Sequence, residues 1–193
     1  MAPTGSDTAL IVIDMQNDFL LPTSPLCVAG GMACLPKVKE ALDAARSKGL
    51  HVIHVIREHD PSGVDIEYTR AHLFRDGGAG STVPGSKGAE LVEGLEVQAG
   101  ELTLIKKRFS AFLHTHLDLV LRRLGVKRVV IAGVQTPNCI RATAVDAMGH
   151  DYEVLVLSDA TASKSDAVQE YNLEDMRCMG IKTLSTAAWA GAL

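Results

Sequence analysis

Three side chains widely separated in the sequence, Asp14, Lys106 and Cys139, have the chemistry of a nucleophilic site. A cysteine thiolate attacks carbonyl carbon and leaves readily from the resulting thioester. It needs a base, and a carboxylate tuned by burial and a neighbouring cation can serve. Asp14 is therefore the candidate base and Lys106 the candidate cation. Cys139 stands in Ile131-Ala-Gly-Val-Gln-Thr-Pro-Asn-Cys139, which reads as a buried strand ending at Gly133, a tight turn, and the first turn of a helix. Pro137 suits such a first turn, and Thr136 or Asn138 can cap its free donors. The positive end of the helix dipole is expected to lower the thiol pKa. Backbone N–H groups of Gln135 and Cys139 are candidates for an oxyanion hole.

Taken singly, each residue also fits an ordinary role: a buried cysteine, a capping aspartate, a surface lysine. Their placement on the elements argues for chemistry. Apolar runs predict strands at Ala9–Ile13, Leu50–Ile56, Leu102–Ile105, Lys127–Ala132, Glu153–Leu157 and Ile181–Leu184. Helical spacing predicts helices at Leu35–Lys48, Lys87–Leu95, Thr115–Leu124, Ala142–Met148 and Asp166–Met179. Strands alternating with helices imply parallel pairing through right-handed crossovers. The expected architecture is an α/β fold, a three-layer α/β/α sandwich on a six-stranded, doubly wound parallel sheet, as a single domain over residues 1–193. In such sheets the ligand sits beyond the carboxyl ends of the strands. Asp14, Lys106 and Cys139 all fall there.

Composition narrows the class. An apolar fraction of 47% and a charged fraction of 22% are those of an ordinary globular chain with enough length to bury a core. A net charge of −4 leaves no electrostatic footprint for nucleic acid or an anionic membrane. No apolar run approaches a transmembrane span, and Met1 to Thr8 lacks the pattern of a secretory signal. Four cysteines without CxxC spacing are too sparse for a disulfide framework, so a reducing, cytoplasmic setting is expected. Gly80-Ser-Thr-Val-Pro-Gly-Ser-Lys87 has the wrong residue order for a phosphate-binding loop, and no cofactor is expected.

Asp14 in ALIVIDMQNDF, Lys106 in KKRFSAF and Cys139 in GVQTPNCIRATAVDA together resemble the signature of the isochorismatase-like cysteine hydrolases. That family includes nicotinamidases, N-carbamoylsarcosine amidohydrolase, ureidoacrylate and biuret hydrolases, and isochorismatase. The motifs come in the family's order, and the resemblance runs from about Thr8 to Leu184. It implies an Asp14–Lys106–Cys139 triad, with Lys106 rather than Lys107 because the family lysine lies four residues before the serine matched by Ser110. It also implies a cis peptide bond at Val134–Gln135, an oxyanion hole from Gln135 and Cys139, and a homodimer or homotetramer.

The substrate is less sharply defined. Nicotinamidases carry a metal site from an Asp-x-His motif and a further histidine, and Arg57-Glu-His-Asp-Pro-Ser-Gly-Val-Asp65 lacks that spacing. His59 and Asp60 make a weak pair and His72 is isolated, so no metal is expected. Isochorismatases proper cleave a vinyl ether without a cysteine, so Cys139 favours hydrolysis of a C–N bond in a small amide or ureide. Irregular stretches of this length inside a compact domain commonly carry function. Arg57, Arg70 and Arg75 lie in such a segment, from Arg57 to Leu102, and are candidates to bind a substrate carboxylate. Phe19 and Phe112 are candidate apolar contacts. The rival readings are an isochorismatase-type vinyl-ether hydrolase and a catalytically silent family member acting as a binding protein.

Overall fold

The computed structural model describes residues 6–24, 26–74 and 80–193. Six strands, all parallel, form one sheet in the order β3-β2-β1-β4-β5-β6. They are β1 (Thr8–Ile13), β2 (His51–Arg57), β3 (Leu102–Lys106), β4 (Arg128–Val134), β5 (Glu153–Ala162) and β6 (Lys182–Leu184). The helices are α1 (Asn17–Leu20), α2 (Gly31–Ser47), α3 (Leu117–Arg123), α4 (Arg141–Gly149), α5 (Asp166–Cys178) and α6 (Thr186–Gly191). The central strand β1 is buried along its whole length, and its side chains alternate between two cores. Ile11 and Ile13 meet Leu117 and Leu121 of α3, Ala144 of α4 and Met176 of α5 on one face. Leu10 and Val12 meet Val38 and Leu42 of α2 and Trp189 of α6 on the other. A strand coated on both faces reads as an unbroken apolar run, which is why ALIVI lacks the alternation of a half-exposed strand. The expected α/β/α sandwich and six-stranded parallel sheet are observed.

Strand order reverses between β1 and β4, so a crevice opens at their carboxyl ends. Asp14 lies just past β1 in a left-handed conformation (φ 53°), a region that aspartate tolerates better than most residues, and its N–H donates to the Val55 carbonyl. Gly133, at the end of β4, has φ 113°, and a Cβ there would run into the backbone of Ile13. Only glycine lets β4 pass β1 so closely just ahead of the Cys139 turn.

Four expectations are corrected. Helix α2 starts at Gly31 rather than Leu35, carrying Pro36 within it at the loss of one backbone hydrogen bond. Strand β5 runs on past Leu157 to Ala162 because its register jumps, so that Thr161 and Ala162 pair with Gly133 and Val134. The short helix α6 was not anticipated; Ser185 caps it and Trp189 anchors it in the core. Residues Lys87–Leu95 form turns, not a helix, because their carbonyls are taken by distant donors. Lys87, Gly88 and Glu90 accept from the Asn17 side chain, the Asp18 N–H and the Asn17 N–H. Fully buried Gln16 is the centre of this staple: its Nε2 donates to Arg57 and Ala89 carbonyls at 2.8 Å each, and its Oε1 accepts the Arg57 N–H at 2.7 Å.

At the opposite end of the sheet, Glu101 ties β3 to α2. It accepts two hydrogen bonds from Arg46 (2.7 and 3.1 Å), one from the Gln98 N–H and one from buried His54 (2.9 Å). Burial alone would raise the carboxyl pKa; these donors outweigh it and hold it at about 2. Burial lowers the His54 pKa, so at neutral pH His54 is an uncharged partner in this cluster. A depressed carboxyl stabilises the fold fully above its unfolded value of 4.5, and that contribution fades as pH falls from there towards 2. Glu101→Gln is therefore expected to lower the denaturant midpoint at pH 7 and to flatten the loss of stability between pH 4.5 and 2. Chemical denaturation across that range checks this; parallel curves for the two proteins would contradict it.

Candidate active site

Lys106 and Arg57 are register partners at the ends of β3 and β2, and both point to the face that carries Leu104 and Val55. Lysine is long enough to cross beneath β2 to the central strand. Its Nζ donates to Asp14 Oδ2 at 2.8 Å, to the Arg108 carbonyl at 3.1 Å and to Cys139 Sγ at 3.4 Å, which commits all three ammonium protons. Both charged side chains of this pair are almost wholly shielded from solvent. Lys107, by contrast, points outward and pairs with Asp65 at 2.8 Å. Asp14 Oδ1 is buried and has no hydrogen-bond partner among the described residues.

Cys139 lies in a π-helical turn, Thr136–Ile140, which leads into α4. The Val134–Gln135 peptide bond is cis. From α5, Gln169 holds this turn from below: Thr136 bonds to its Oε1, and its Nε2 donates to the Ser158 and Thr161 carbonyls. A cavity of about 80 Å³ opens on the thiol. Its wall is formed by Asp14, Arg57, Val134, Gln135, Asn138 and Cys139, together with an apolar side that includes Phe19 and Phe109.

The Isochorismatase domain family model matches residues 8–188. The chain belongs to the isochorismatase-like hydrolase family. Over 195 residues it is 43% identical to a probable inactive nicotinamidase of Arabidopsis thaliana, covering 100% of both chains. It is 34% identical to the maleamate amidohydrolase of Pseudomonas putida, covering 89% of this chain and 80% of that one. A crystal structure of an isochorismatase family protein from Desulfovibrio vulgaris superimposes with a TM-score of 0.93 at 47% identity, covering 96% and 97% of the two chains.

Within this isochorismatase-like frame, the residues singled out in sequence do not all meet. Phe19 and Arg57 line the cavity, and Arg70 joins them from a 3-10 turn, Tyr68–Phe74. Arg75 lies outside the described residues. Phe112 does not line the cavity: its ring is buried in the core, stacked on His150 at 5.2 Å and tilted against Tyr152 at 6.0 Å. Phe109, three residues earlier, takes the place expected of it, with the guanidinium carbons of Arg57 and Arg70 at 5.1 and 5.7 Å from its ring centroid. Sequence reasoning gave Asn138 only a capping role, whereas it stands in the wall, and passed over Leu26 and Val28 there and Gln16 behind it; Gln16 carried the one available signal, an amide between two carboxylates at a strand end. His59 and Asp60 do not converge, since His59 Nδ1 pairs with Asp65 at 3.1 Å and Asp60 accepts from Ser62. Among the described residues, no group of three or more His, Cys, Asp or Glu side chains is gathered as a metal set. Nor, among them, is any helix long and apolar enough to cross a membrane.

The expected depression of the thiol pKa is reversed. Burial pushes Cys139 up to about 11, the Asp14 carboxylate adds to the rise, and Lys106 and Arg57 oppose it. The helix dipole at an exposed terminus favours a thiolate, but a fully enclosed sulfur loses more by desolvation than the dipole returns. The raised pKa favours the protonated form of Cys139 at neutral pH. Its alkylation by iodoacetamide, followed by site-resolved mass spectrometry, is expected to keep rising with pH beyond pH 10. Removing the carboxylate with Asp14→Asn shifts that profile to lower pH. A plateau below pH 8 in the unsubstituted protein would contradict the assignment. Gly133→Ala, which forces a Cβ into Ile13, is expected to cost about 2 kcal/mol or more in a denaturation measurement.

Proposed function

We propose that this protein is a cysteine hydrolase that cleaves the C–N bond of a small amide or ureide through a thioester on Cys139. The observation that carries the reading is Lys106 Nζ bound at once to Asp14 and to the Cys139 sulfur, beside a cavity large enough for a small molecule. Relatives that include an amidohydrolase support the class of bond. Asp14 takes the thiol proton when the thiolate attacks the carbonyl carbon. Its uncommitted Oδ1 is the acceptor available for that proton. Lys106 stays charged beside the sulfur and compensates the negative charge that leaves Asp14 for it. The Gln135 and Cys139 N–H groups hold the oxyanion of the tetrahedral intermediate.

Collapse of that intermediate breaks the C–N bond, and Asp14 passes its proton to the departing ammonia or amine. Water then attacks the thioester, gives one proton to the Cys139 sulfur through Asp14, and releases the acid. No metal or cofactor takes part in these steps. A raised thiol pKa fits this scheme, because the proton has to be present on Cys139 before it can be delivered to the leaving nitrogen.

A second reading, a catalytically silent chain that binds a small molecule, is favoured by the 43% identity to a relative named as a probable inactive nicotinamidase. A screen of small amides and ureides scored by ammonia release separates the two. The hydrolase reading expects at least one substrate, a mass increase on Cys139 during turnover, and a loss of about a thousandfold or more in kcat/KM for both Cys139→Ala and Cys139→Ser. Near-normal turnover by Cys139→Ser would remove the covalent mechanism.

A further inference from the structure

Strand β5 does not follow β4 evenly. Ile131 pairs with Val156, but two residues further along β4, Gly133 pairs with Thr161, so β5 carries three residues more than β4 over that interval. The side chain of Gln169, on α5, spans the excursion. Its Nε2 faces the Ser158 carbonyl at 3.3 Å on one side and the Thr161 carbonyl and Oγ1 at 3.2 and 3.0 Å on the other. With three oxygens around the nitrogen, the amide has one orientation, and its Oε1 must face Thr136. Thr136 is fully buried and donates its hydroxyl proton to that Oε1 across 2.5 Å. The Ala162 carbonyl lies 3.1 Å from the same hydroxyl.

Thr136 follows Gln135 in the turn that carries both N–H groups assigned to the oxyanion. Bonds inside the turn, from the Asn138 and Ile140 N–H groups to the Gln135 carbonyl at 3.1 and 3.3 Å, fix its shape. The Thr136 hydroxyl fixes where that shape sits against α5 and β5. Gln169 itself is half-buried and faces a separate hollow of about 200 Å³, away from the reacting atoms. We infer that Gln169 is a positioning residue: through Thr136 it holds the Gln135 and Cys139 N–H groups at the oxyanion of the tetrahedral intermediate. The inference rests on the acyl-transfer reading for what those two groups do. Donors of this kind work because they are in place before charge develops, and a displacement of about 1 Å can cost about a hundredfold. The position asks for an amide in particular. A carboxylate there would set negative charge against the Ser158 and Thr161 carbonyls, and an apolar side chain would leave the Thr136 hydroxyl to Ala162 alone.

Carbon-13 acetaldehyde tests this without a known substrate. The Cys139 sulfur bonds to the aldehyde carbon, the carbonyl π pair moves to oxygen, and the thiol proton passes to Asp14. The adduct thus places an oxyanion where the intermediate would have one. NMR titration gives its dissociation constant, with Cys139→Ala as the blank for lysine imines. Alkylation of Cys139 by iodoacetamide, which expels iodide and puts no charge on a carbonyl oxygen, is the control. In Gln169→Met the adduct is expected to weaken about tenfold to a hundredfold while the alkylation rate changes by less than about twofold. If Gln169→Met does not fold, Gln169→Ser, which lets water into the neighbouring hollow, takes its place with the same expectation. Thr136→Val is expected to weaken the adduct as much as Gln169→Met, and the double variant no more than either. Thr136→Ser, which keeps the hydroxyl, retains most of the affinity. An unchanged adduct in Gln169→Met, a parallel loss of adduct and alkylation, or additive losses in the double variant would each overturn the inference. Absence of any adduct in the unsubstituted protein would instead remove the oxyanion hole, and with it the hydrolase reading on which the inference rests.

Discussion

The buried ion pair between Lys106 and Asp14 is the constraint on which the rest of the site depends. An ammonium and a carboxylate taken out of water cost several kcal/mol each, and only close geometry with the remaining protons satisfied offsets that cost. Lys106 meets the condition by spending its other two protons on a backbone carbonyl and the Cys139 sulfur. The edge strand β3 and the central strand β1 are thereby joined through chemistry as well as through the sheet. A lysine displaced from this position would leave a buried, uncompensated aspartate, a loss of about 3–5 kcal/mol for a broken buried pair. The polarity of the candidate site and the integrity of the fold therefore share one contact.

Around that pair, charges and backbone are arranged in layers. Arg57 and Glu67 form a second buried pair close by, and Asp65 fastens the loop that carries Glu67 by accepting from Lys107 and, through its backbone carbonyl, from Arg108. Gln16 and Gln169 are uncharged counterparts of these pairs. One staples residues 87–92 to the end of β1, and the other props the Cys139 turn on α5. Each is an amide whose Nε2 donates to backbone carbonyls of other segments while its Oε1 accepts from a segment it holds, the kind of contact that fixes a turn without adding net charge.

Much of this was legible in the sequence, for reasons that differ by element. The strands showed because a sheet covered on both faces needs unbroken apolar runs, and these end abruptly where the site begins. Asp14, Lys106 and Cys139 could be brought together in principle because an open parallel sheet gathers its strand ends on one edge. What stayed hidden depends on contacts distant in sequence. Phe109 and Phe112 are chemically equivalent in KKRFSAF, and only the course of the loop after β3 sends one to the cavity and the other to the core. Residues 87–95 have helical spacing, but their carbonyls are claimed by Asn17 and Asp18. The thiol pKa was read from its place on a helix, whereas the burial that overrides the dipole comes from the surrounding core.

That burial has a consequence for oxidative chemistry. Peroxides react with thiolates, and oxidation climbs from sulfenic to irreversible sulfinic and sulfonic acids once a thiolate is exposed. Burial raises the Cys139 pKa and leaves only a small cavity open to its sulfur, and the exposed cysteine of the chain, Cys178, lies at the end of α5. In the proposed mechanism the thiolate forms only as a substrate fills the cavity, so between turnovers an oxidant meets a thiol rather than a thiolate. The desolvation that makes the thiol slow to ionise also makes it durable.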